Sequence, residues 1–158
     1  MKIALVTDLH FGARSDSLAF DAHFRKFYED TFFPYLQEHG IKTVFDLGDT
    51  FDRRKYINYN SLKSCKEYFF DRLQDLGIDL HMIAGNHDTY YKNTNIVNSP
   101  DLLLQEYNNI TLYNEVTEVK MGKTNILFVP WICVDNYDSS LQKISESKAD
   151  VCLGHFES

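Results

Sequence analysis

Four hydrophobic runs in this chain each end in polar residues of the types that bind metals or transfer protons. The runs lead into Asp8-Leu9-His10, Leu47-Gly48-Asp49, Gly85-Asn86-His87-Asp88 and Gly154-His155. Short apolar runs that stop at glycine or at polar residues are typical of buried strands. In open α/β folds, the carboxyl ends of the strands carry the binding site. The pattern therefore predicts an α/β fold in which these side chains converge at one sheet edge.

The segment Gly85-Asn86-His87-Asp88 is the centre of this pattern. It follows the run from Ile78 to Ala84, and Gly85 suits a tight turn because it tolerates backbone angles closed to other residues. In extended backbone, the neighbouring side chains of Asn86 and His87 point in different directions. We therefore expect one of them to hold a metal while the other faces a substrate.

The first two segments supply carboxylates and a histidine. In extended backbone, Asp8 and His10 lie on the same side, with Leu9 turned into the core. Asp49 enters from the next strand, and Asp52 follows closely enough to reach back towards it. Taken singly, Asp8 and His10 also fit a turn with a surface histidine, and Asp49 fits a turn. Their position at successive strand ends favours one shared site.

Length and composition predict an ordinary globular domain. A chain of 158 residues with 44% hydrophobic content can bury a core large enough to fold alone. No apolar run approaches the ~20 residues that span a membrane, and the N-terminus lacks the regions of a signal peptide. The three cysteines, Cys65, Cys133 and Cys152, have neither disulfide nor metal-type spacing. We expect reduced thiols, a cytoplasmic location and no membrane partner.

The net charge of −7 argues against a general nucleic-acid coat, which normally has a basic surplus. Divalent metals at the acidic strand ends would neutralise part of this charge. A local basic cluster, Arg53-Arg54-Lys55, follows Asp49 closely. A solvated loop explains Arg54 and Lys55 equally well, so charge leaves the substrate undecided.

Hydrophobic periodicity predicts the remaining elements. Strands are expected at Lys2 to Thr7, Thr43 to Asp46, Ile78 to Ala84, Ile110 to Tyr113, Glu115 to Met121, Thr124 to Val129 and Ala149 to Leu153. Helices are expected from Ser17 to His39, from Ser61 to Gly77, from Ser99 to about Tyr107 and from Asp135 to Ser147. The first strand should be central in its sheet, because it is apolar on both faces.

Two helices carry many aromatic residues. In the first, steps of three and four predict a buried face of Phe20, Phe24, Phe27, Thr31 and Tyr35. Pro34 should kink or restart this helix, because proline lacks an amide hydrogen. In the second, Leu62, Cys65, Phe69, Leu73 and Leu76 predict the core face. Tyr68 and Phe70 lie outside this face, so they either meet a partner or are covered by a neighbouring loop.

The convergent side chains suit a pair of metal ions. Carboxylate, amide oxygen and imidazole ligands are compatible with Mn²⁺, Fe²⁺ or Zn²⁺. Two such ions about 3.5–4 Å apart can share a carboxylate and activate water for attack on phosphorus. Asp49 is the best candidate for the shared ligand, because it falls between the other contributors in chain order. One ion would take Asp8 and His10, and the other would take Asn86 and His155.

The four segments, together with Asp52-Arg53, resemble the signature of the calcineurin-like metallophosphoesterases in residue type and order. The resemblance implies a metallophosphoesterase four-layer αββα sandwich with mixed sheets across residues 1–158. It also implies two divalent metal ions, usually Mn²⁺. The ligands that it implies are Asp8, His10, Asp49, Asn86 and His155.

The same resemblance implies roles for residues that do not bind metal. His87 would contact the scissile phosphate and help the leaving group depart, and Asp52 would orient it. Arg53 matches a phosphate-contacting arginine of related phosphatases. Asp88 is expected to be a turn or capping residue.

Within that family, Gly-Asp-Thr-Phe-Asp-Arg-Arg and Gly-Asn-His-Asp followed by Tyr-Tyr-Lys-Asn resemble the nuclease subunits of SbcCD-type complexes, particularly the exonuclease subunits of T-even-like phages. This implies a metal-dependent DNA phosphodiesterase for break repair and recombination, exonucleolytic on duplex ends and endonucleolytic on single strands. It also implies a homodimer with an SMC-like ATPase, in the host cytoplasm if phage-encoded. Alternatives are a phosphatase or cyclic-nucleotide phosphodiesterase on the same scaffold, or an inactive scaffold without metals.

The chain departs from the family at its end. The family completes its site with Gly-His-x-His, whereas this chain has Gly154-His155-Phe156-Glu157. We interpret His155 as the preceding single-histidine motif and expect the final pair beyond Ser158. The domain would then be truncated, and we expect such a fragment to bind metals weakly and to be inactive alone.

Overall fold

The computed structural model describes residues 1–157 and contains a four-stranded and a three-stranded sheet. The first sheet is parallel, in the order β1 (Ala4–Val6), β2 (Thr43–Asp46), β3 (Asp79–Ile83) and β4 (Ile110–Tyr113). The second is mixed: β5 (Thr117–Met121) is antiparallel to β6 (Thr124–Val129), which is parallel to β7 (Val151–Gly154).

Within residues 1–157, four longer helical segments accompany the sheets, besides a short turn at Ala13–Asp16 that contains left-handed residues. The first helix comprises Leu18–Phe27, a π-helical turn at Tyr28–Phe32, and Phe33–Glu38. The second comprises Tyr59–Cys65, a π-helical turn at Lys66–Phe70, and Asp71–Asp75. The third is Ser99–Leu103 and the fourth is Tyr137–Glu146. Short 3₁₀ turns occur at Asn86–Asp88 and Val134–Asn136.

Hydrophobic contacts divide the molecule into four layers. The first two helices pack on the parallel sheet through residues such as Tyr28, Phe69 and Leu80. Phe45 and Ile83 of that sheet meet Ile126 and Phe128 between the two sheets. The outer face of the second sheet packs against the fourth helix, where Leu127 and Val129 cluster with Ile144. The predicted αββα sandwich is therefore confirmed.

The first strand does not have the predicted position. Within residues 1–157, β1 pairs only with β2 and lies at the edge of the parallel sheet. The side chain of Leu5 is exposed, at 56%. The prediction of a central strand is wrong because an apolar run records the character of its own side chains and not which elements cover them.

A π-helical turn changes the buried face of the first helix. The amide of Phe33 donates to the carbonyl of Tyr28, five residues earlier, so one extra residue enters the turn. The buried residues are accordingly Tyr28, Phe33 and Leu36. Phe20, Phe27 and Tyr35, predicted to be buried, are exposed. Pro34 lies in the first turn of the restarted α-helix, as predicted.

The second helix begins earlier than predicted, and the third ends earlier than predicted. Asn58 caps the second helix by accepting from the amides of Asn60 and Ser61, so the predicted start of this helix at Ser61 is wrong. Asn98, rather than Ser99, caps the third helix, which ends at Leu103.

The second π-helical turn decides between the two alternatives for the two aromatics outside the predicted core face. Tyr68 and Phe70 lie in the turn Lys66–Phe70 and are completely buried, together with Phe69. They are therefore core residues of this chain, and the alternative that they meet a partner is wrong.

Two expectations from composition can be compared with the structure. No helix in residues 1–157 combines the length and the apolar character needed to cross a membrane. The three cysteines are free, with Cys65 and Cys133 buried and Cys152 exposed.

Candidate metal centre

The loops that follow β1 and β2 run side by side. The amides of Asp8 and His10 donate to the carbonyls of Gly48 and Asp49, each at 2.9 Å. The amide of Phe11 likewise donates to the carbonyl of Thr50 at 2.9 Å. These backbone hydrogen bonds bring the first two strand ends together before any side chain is considered.

Asp88 joins the third strand end to the second. Its fully buried carboxylate accepts from the amides of Gly85 at 2.9 Å and Phe51 at 3.0 Å. Burial raises the pKa of Asp88 to about 6, against the effect of these amide donors. The prediction of a capping residue is confirmed, and the cap also ties two loops together.

Three of the predicted ligands have left-handed backbone. The φ angles are 55° at Asp8, 47° at His10 and 53° at Asp49. Such angles are uncommon outside glycine and cluster at functional sites, where surrounding structure maintains them. The backbone at Asp8 and His10 is therefore not extended, and the prediction that an extended strand puts both on one side is wrong. Their side chains converge because the backbone turns after β1.

The first donor group consists of Asp8, His10 and Asp49. The Nε2 atom of His10 lies 3.6 Å from Oδ1 of Asp8 and 3.6 Å from Oδ2 of Asp49. The ligand atoms of all three lie within 4.8 Å of one another. The Nδ1 atom of His10 donates to the Asp52 carboxylate at 3.1 Å, which leaves the lone pair on Nε2 facing the two aspartates.

The second donor group uses the other oxygen of Asp49. The Nε2 atom of His155 lies 3.5 Å from Oδ1 of Asp49 and 3.1 Å from the side-chain amide of Asn86. Its Nδ1 atom donates to the carbonyl of Leu47 at 2.8 Å. Because a carbonyl can only accept, Nε2 of His155 carries a lone pair directed at Asp49.

The donor chemistry of both groups fits divalent cations. If the Asn86 amide is turned with its NH₂ inwards, it donates to Asp49 at 3.2 Å and to His155 at 3.1 Å. Turned the other way, its oxygen meets only lone pairs, which is the arrangement that a cation stabilises. Separations of 3.5–3.6 Å are within the span of two ligands about 2.0–2.2 Å from one ion.

Comparisons with known proteins agree with this chemistry. The family described as "Calcineurin-like phosphoesterase" matches residues 1–157. The chain belongs to this family. Exonuclease subunit 1 of Enterobacteria phage T4 is 36% identical over 160 residues, which cover 99% of this chain and 46% of that protein. The predicted resemblance is thereby confirmed, although the chain spans about half the length of this relative.

A solved structure supports the phosphoesterase fold. Nuclease MPE of Pseudomonas putida superposes with a TM-score of 0.50 at 18% sequence identity. The match covers 80% of this chain and 52% of the nuclease. At this identity, the comparison shows a shared architecture and nothing further.

In this phosphoesterase, His87 lies at the edge of both donor groups. Its amide donates to Oδ1 of Asp49 at 2.8 Å, and its ring packs edge-on to that of His10 with centroids 5.1 Å apart. Its Nδ1 atom donates to the backbone carbonyl of Asp52 at 3.1 Å. Asp52 thus contacts His87 through its main chain, while its carboxylate holds His10.

Arg53 is engaged away from the donor groups. Its guanidinium donates to the Asp16 carboxylate and lies over the Tyr56 ring, 5.0 Å from the centroid. The hydrogen bond to Asp16 raises the pKa of Arg53. Asp16 also accepts from the Ser61 hydroxyl at 2.7 Å. The structure therefore fixes Arg53 beside the site through a carboxylate partner.

Sequence reasoning missed Asp46, which supports the second strand end from within. Its carboxylate is completely buried and accepts from the Thr50 hydroxyl at 2.6 Å and from the Gly48 amide at 3.1 Å. Burial raises the pKa of Asp46 to about 8. The signal in the sequence was that Asp46, an acidic residue, is the last residue of the otherwise apolar strand Thr43–Asp46.

Gly48 and Gly85 let the second and third loops approach closely. A Cβ on Gly48 would lie 2.7 Å from the Gly85 amide nitrogen. A Cβ on Gly85 would lie 2.3 Å from Oδ1 of Asp49. Gly48 is therefore required for the close approach of the two loops, and Gly85 for space around the Asp49 carboxylate.

Proposed function

We propose that this phosphoesterase is a metal-dependent DNA phosphodiesterase. The main support is the Asp49 carboxylate, whose two oxygens face separate donor groups completed by His10 and His155. The second support is 36% identity to a phage protein named as an exonuclease subunit. A carboxylate between two donor groups is the arrangement expected of a two-metal phosphodiesterase.

The chain's own residues divide the ligation between two ions, for which we propose Mn²⁺. Asp8, His10 and Asp49 would hold one, and Asp49, Asn86 and His155 would hold the other. When bound, such ions activate water and neutralise charge on the phosphate. The carboxylate of Asp52 and the carbonyl of Leu47 keep both histidines oriented with Nε2 inwards.

His87 is the proposed proton donor. The carbonyl of Asp52 accepts from Nδ1, so in the doubly protonated ring the second N–H, on Nε2, would be the one given to the leaving oxygen. Arg53, held by Asp16, would contact the phosphate. A positioned proton donor of this kind typically contributes ~10²–10⁴-fold to a rate.

The wider biological role follows from the resemblance. We assign residues 1–158 to the nuclease domain of a subunit that acts exonucleolytically on duplex ends and endonucleolytically on single strands. Its partners would be DNA, a second copy of itself and an SMC-like ATPase. The site of action would be the host cytoplasm, in DNA break repair and recombination. The relative's name as a subunit supports the assembly.

The function is tested by parallel hydrolysis assays of the full-length protein with Mn²⁺. The substrates are linear duplex DNA, single-stranded DNA, a small aryl phosphodiester and an aryl phosphomonoester, each with and without EDTA. We expect cleavage of both DNAs and of the diester, abolished by EDTA. Cleavage of the monoester alone would contradict the nuclease function.

A further inference from the structure

A small apolar recess opens beside the metal centre. It has a volume of about 140 Å³, with buried Phe51 among its lining and the exposed rings of Tyr56 and Tyr90 at its opening. The lining residues Phe51 and Arg53 flank Asp52, which contacts both His10 and His87. The volume is below the ~300–1,000 Å³ of clefts for drug-sized ligands and suits one planar ring system.

Positive charge surrounds this recess in an otherwise acidic chain. Arg54 lies over the Trp131 ring at 5.5 Å, and the ammonium of Lys55 lies over the Tyr90 ring at 5.4 Å. Within residues 1–157, neither Arg54 nor Lys55 forms an ion pair with a carboxylate, in contrast to Arg53. Arg54 donates from Nη1 to Thr89 and to the carbonyl of Tyr91, and these neutral partners leave its positive charge, like that of Lys55, to attract an anion such as a phosphodiester.

Large aromatic rings lie exposed next to these cations. Tyr56, Tyr90 and Tyr91 are 67%, 38% and 50% exposed. The Tyr90 and Tyr91 rings pack edge to face with centroids 4.8 Å apart, so each presents surface to solvent. Exposed aromatic rings alternating with cations are the standard platform for unpaired bases, because every base has a stacking face.

Two polar side chains of the recess, Asn98 and Ser99, already have partners. The side-chain oxygen of Asn98 accepts from the amide of Asp101 at 3.0 Å, and its nitrogen donates to the carbonyl of Asn95 at 3.0 Å. The Ser99 hydroxyl donates to the carbonyl of Asp88. A ligand in the recess is therefore held by ring contact and charge, with few hydrogen bonds to the polar edge of its ring.

We infer that the recess is a subsite for one unpaired base of a DNA strand, with Lys55 and Arg54 binding the adjoining phosphates. This inference rests on the proposed phosphodiesterase function and names the part of the substrate that the surface beside the centre binds. The base stacks against Tyr90 and Tyr56, and the strand continues to the metal centre past Asp52. All four bases are accepted, because stacking does not distinguish them and the side chains of Asn98 and Ser99 are already paired.

The test measures binding of a fluorescein-labelled single-stranded oligodeoxythymidylate by anisotropy in EDTA, where cleavage does not interfere. Tyr90→Leu keeps apolar contact but removes the ring. We expect it to weaken binding roughly 5- to 150-fold, the usual worth of one stacked base. Tyr56→Leu, at a more exposed position, is a second variant that leaves the core unchanged, and Lys55→Gln should reduce the salt dependence of binding.

Matched controls separate base stacking from general effects. Tyr35→Leu removes another exposed tyrosine, on the first helix, and Lys123→Gln removes an exposed lysine from the turn between β5 and β6. Both should bind DNA like the unmodified protein. On an oligonucleotide with abasic sites, the unmodified protein should lose affinity, and Tyr90→Leu should cause no further loss.

Two results would overturn the base subsite. One is that all recess variants bind the oligonucleotide as tightly as the unmodified protein does. The other is that Tyr90→Leu weakens binding of the abasic strand as much as it weakens binding of the normal strand. The proposed function fails separately. In that case the oligonucleotide binds through the recess, but neither DNA nor the aryl phosphodiester is hydrolysed with Mn²⁺.

Discussion

The backbone amide of His87 donates a 2.8 Å hydrogen bond to Oδ1 of Asp49. A main-chain donor therefore helps to orient the carboxylate that lies between the two donor groups, whatever side chain stands at position 87. The imidazole itself is held separately, by the carbonyl of Asp52. The two contacts separate the structural contribution of this residue from its proposed chemistry.

This separation predicts the behaviour of His87→Ala in the full-length protein. The amide bond to Asp49 remains, so calorimetry should show unchanged Mn²⁺ affinity. Hydrolysis of DNA should fall ~10²–10⁴-fold, because the proton donor is lost. His23→Ala, at an exposed position on the first helix, is the control and should affect neither quantity. Loss of Mn²⁺ binding together with activity would mean that His87 is a ligand or a packing residue.

Gly85→Ala should damage the metal centre without straining its own backbone. The φ and ψ angles of Gly85 are −90° and 180°, which alanine adopts freely. The new Cβ would, however, lie 2.3 Å from Oδ1 of Asp49 and would push that carboxylate aside. We expect Mn²⁺ affinity to fall about 10- to 100-fold, the range for disturbed support of a ligand. Calorimetry measures this directly.

Gly40→Ala is the matched control for that substitution. Gly40 has a φ of 61°, and a Cβ added there would meet no heavy atom within 4 Å, so alanine causes only backbone strain. Urea unfolding should show a loss of about 1–2 kcal/mol, with Mn²⁺ affinity unchanged. Normal Mn²⁺ binding by Gly85→Ala would show that Asp49 tolerates displacement.

Asp46→Asn should change how stability depends on pH. The buried Asp46 carboxyl has a pKa of about 8, raised from the ordinary 3.8, so between these values the folded protein keeps a proton that the unfolded chain has lost. Its contribution to stability is therefore fully present below about pH 4 and falls as pH rises to about 8. Asparagine can retain the hydrogen bonds to Gly48 and Thr50 without ionising.

Urea unfolding at pH 5 and pH 8 measures the effect. The unmodified protein should lose about 1–4 kcal/mol more than Asp46→Asn over this interval. Asp75→Asn, at an exposed position near the end of the second helix, should follow the unmodified protein. Parallel profiles for Asp46→Asn and the unmodified protein would show that the buried carboxyl ionises at ordinary pH.

The sequence alone was sufficient for the strands and the set of convergent side chains, and its resemblance to the family implied the sandwich. Apolar runs such as Thr43–Asp46 are local patterns, and polar residues at their ends indicate a site because parallel strands end at one edge. The order of the four segments was enough to predict the family. These features depend on residues close together in the chain, so a single sequence contains them.

Tertiary structure alone decided the geometry. The left-handed backbone at Asp8 and Asp49 is maintained by hydrogen bonds between loops, and the Asp52 carboxylate orients His10 from a different strand end. The π-helical turns, the edge position of β1 and the burial of Asp46 likewise depend on what packs against each element. The physical reason is that backbone strain, exposure and pKa are set by neighbours distant in sequence, which local periodicity does not record.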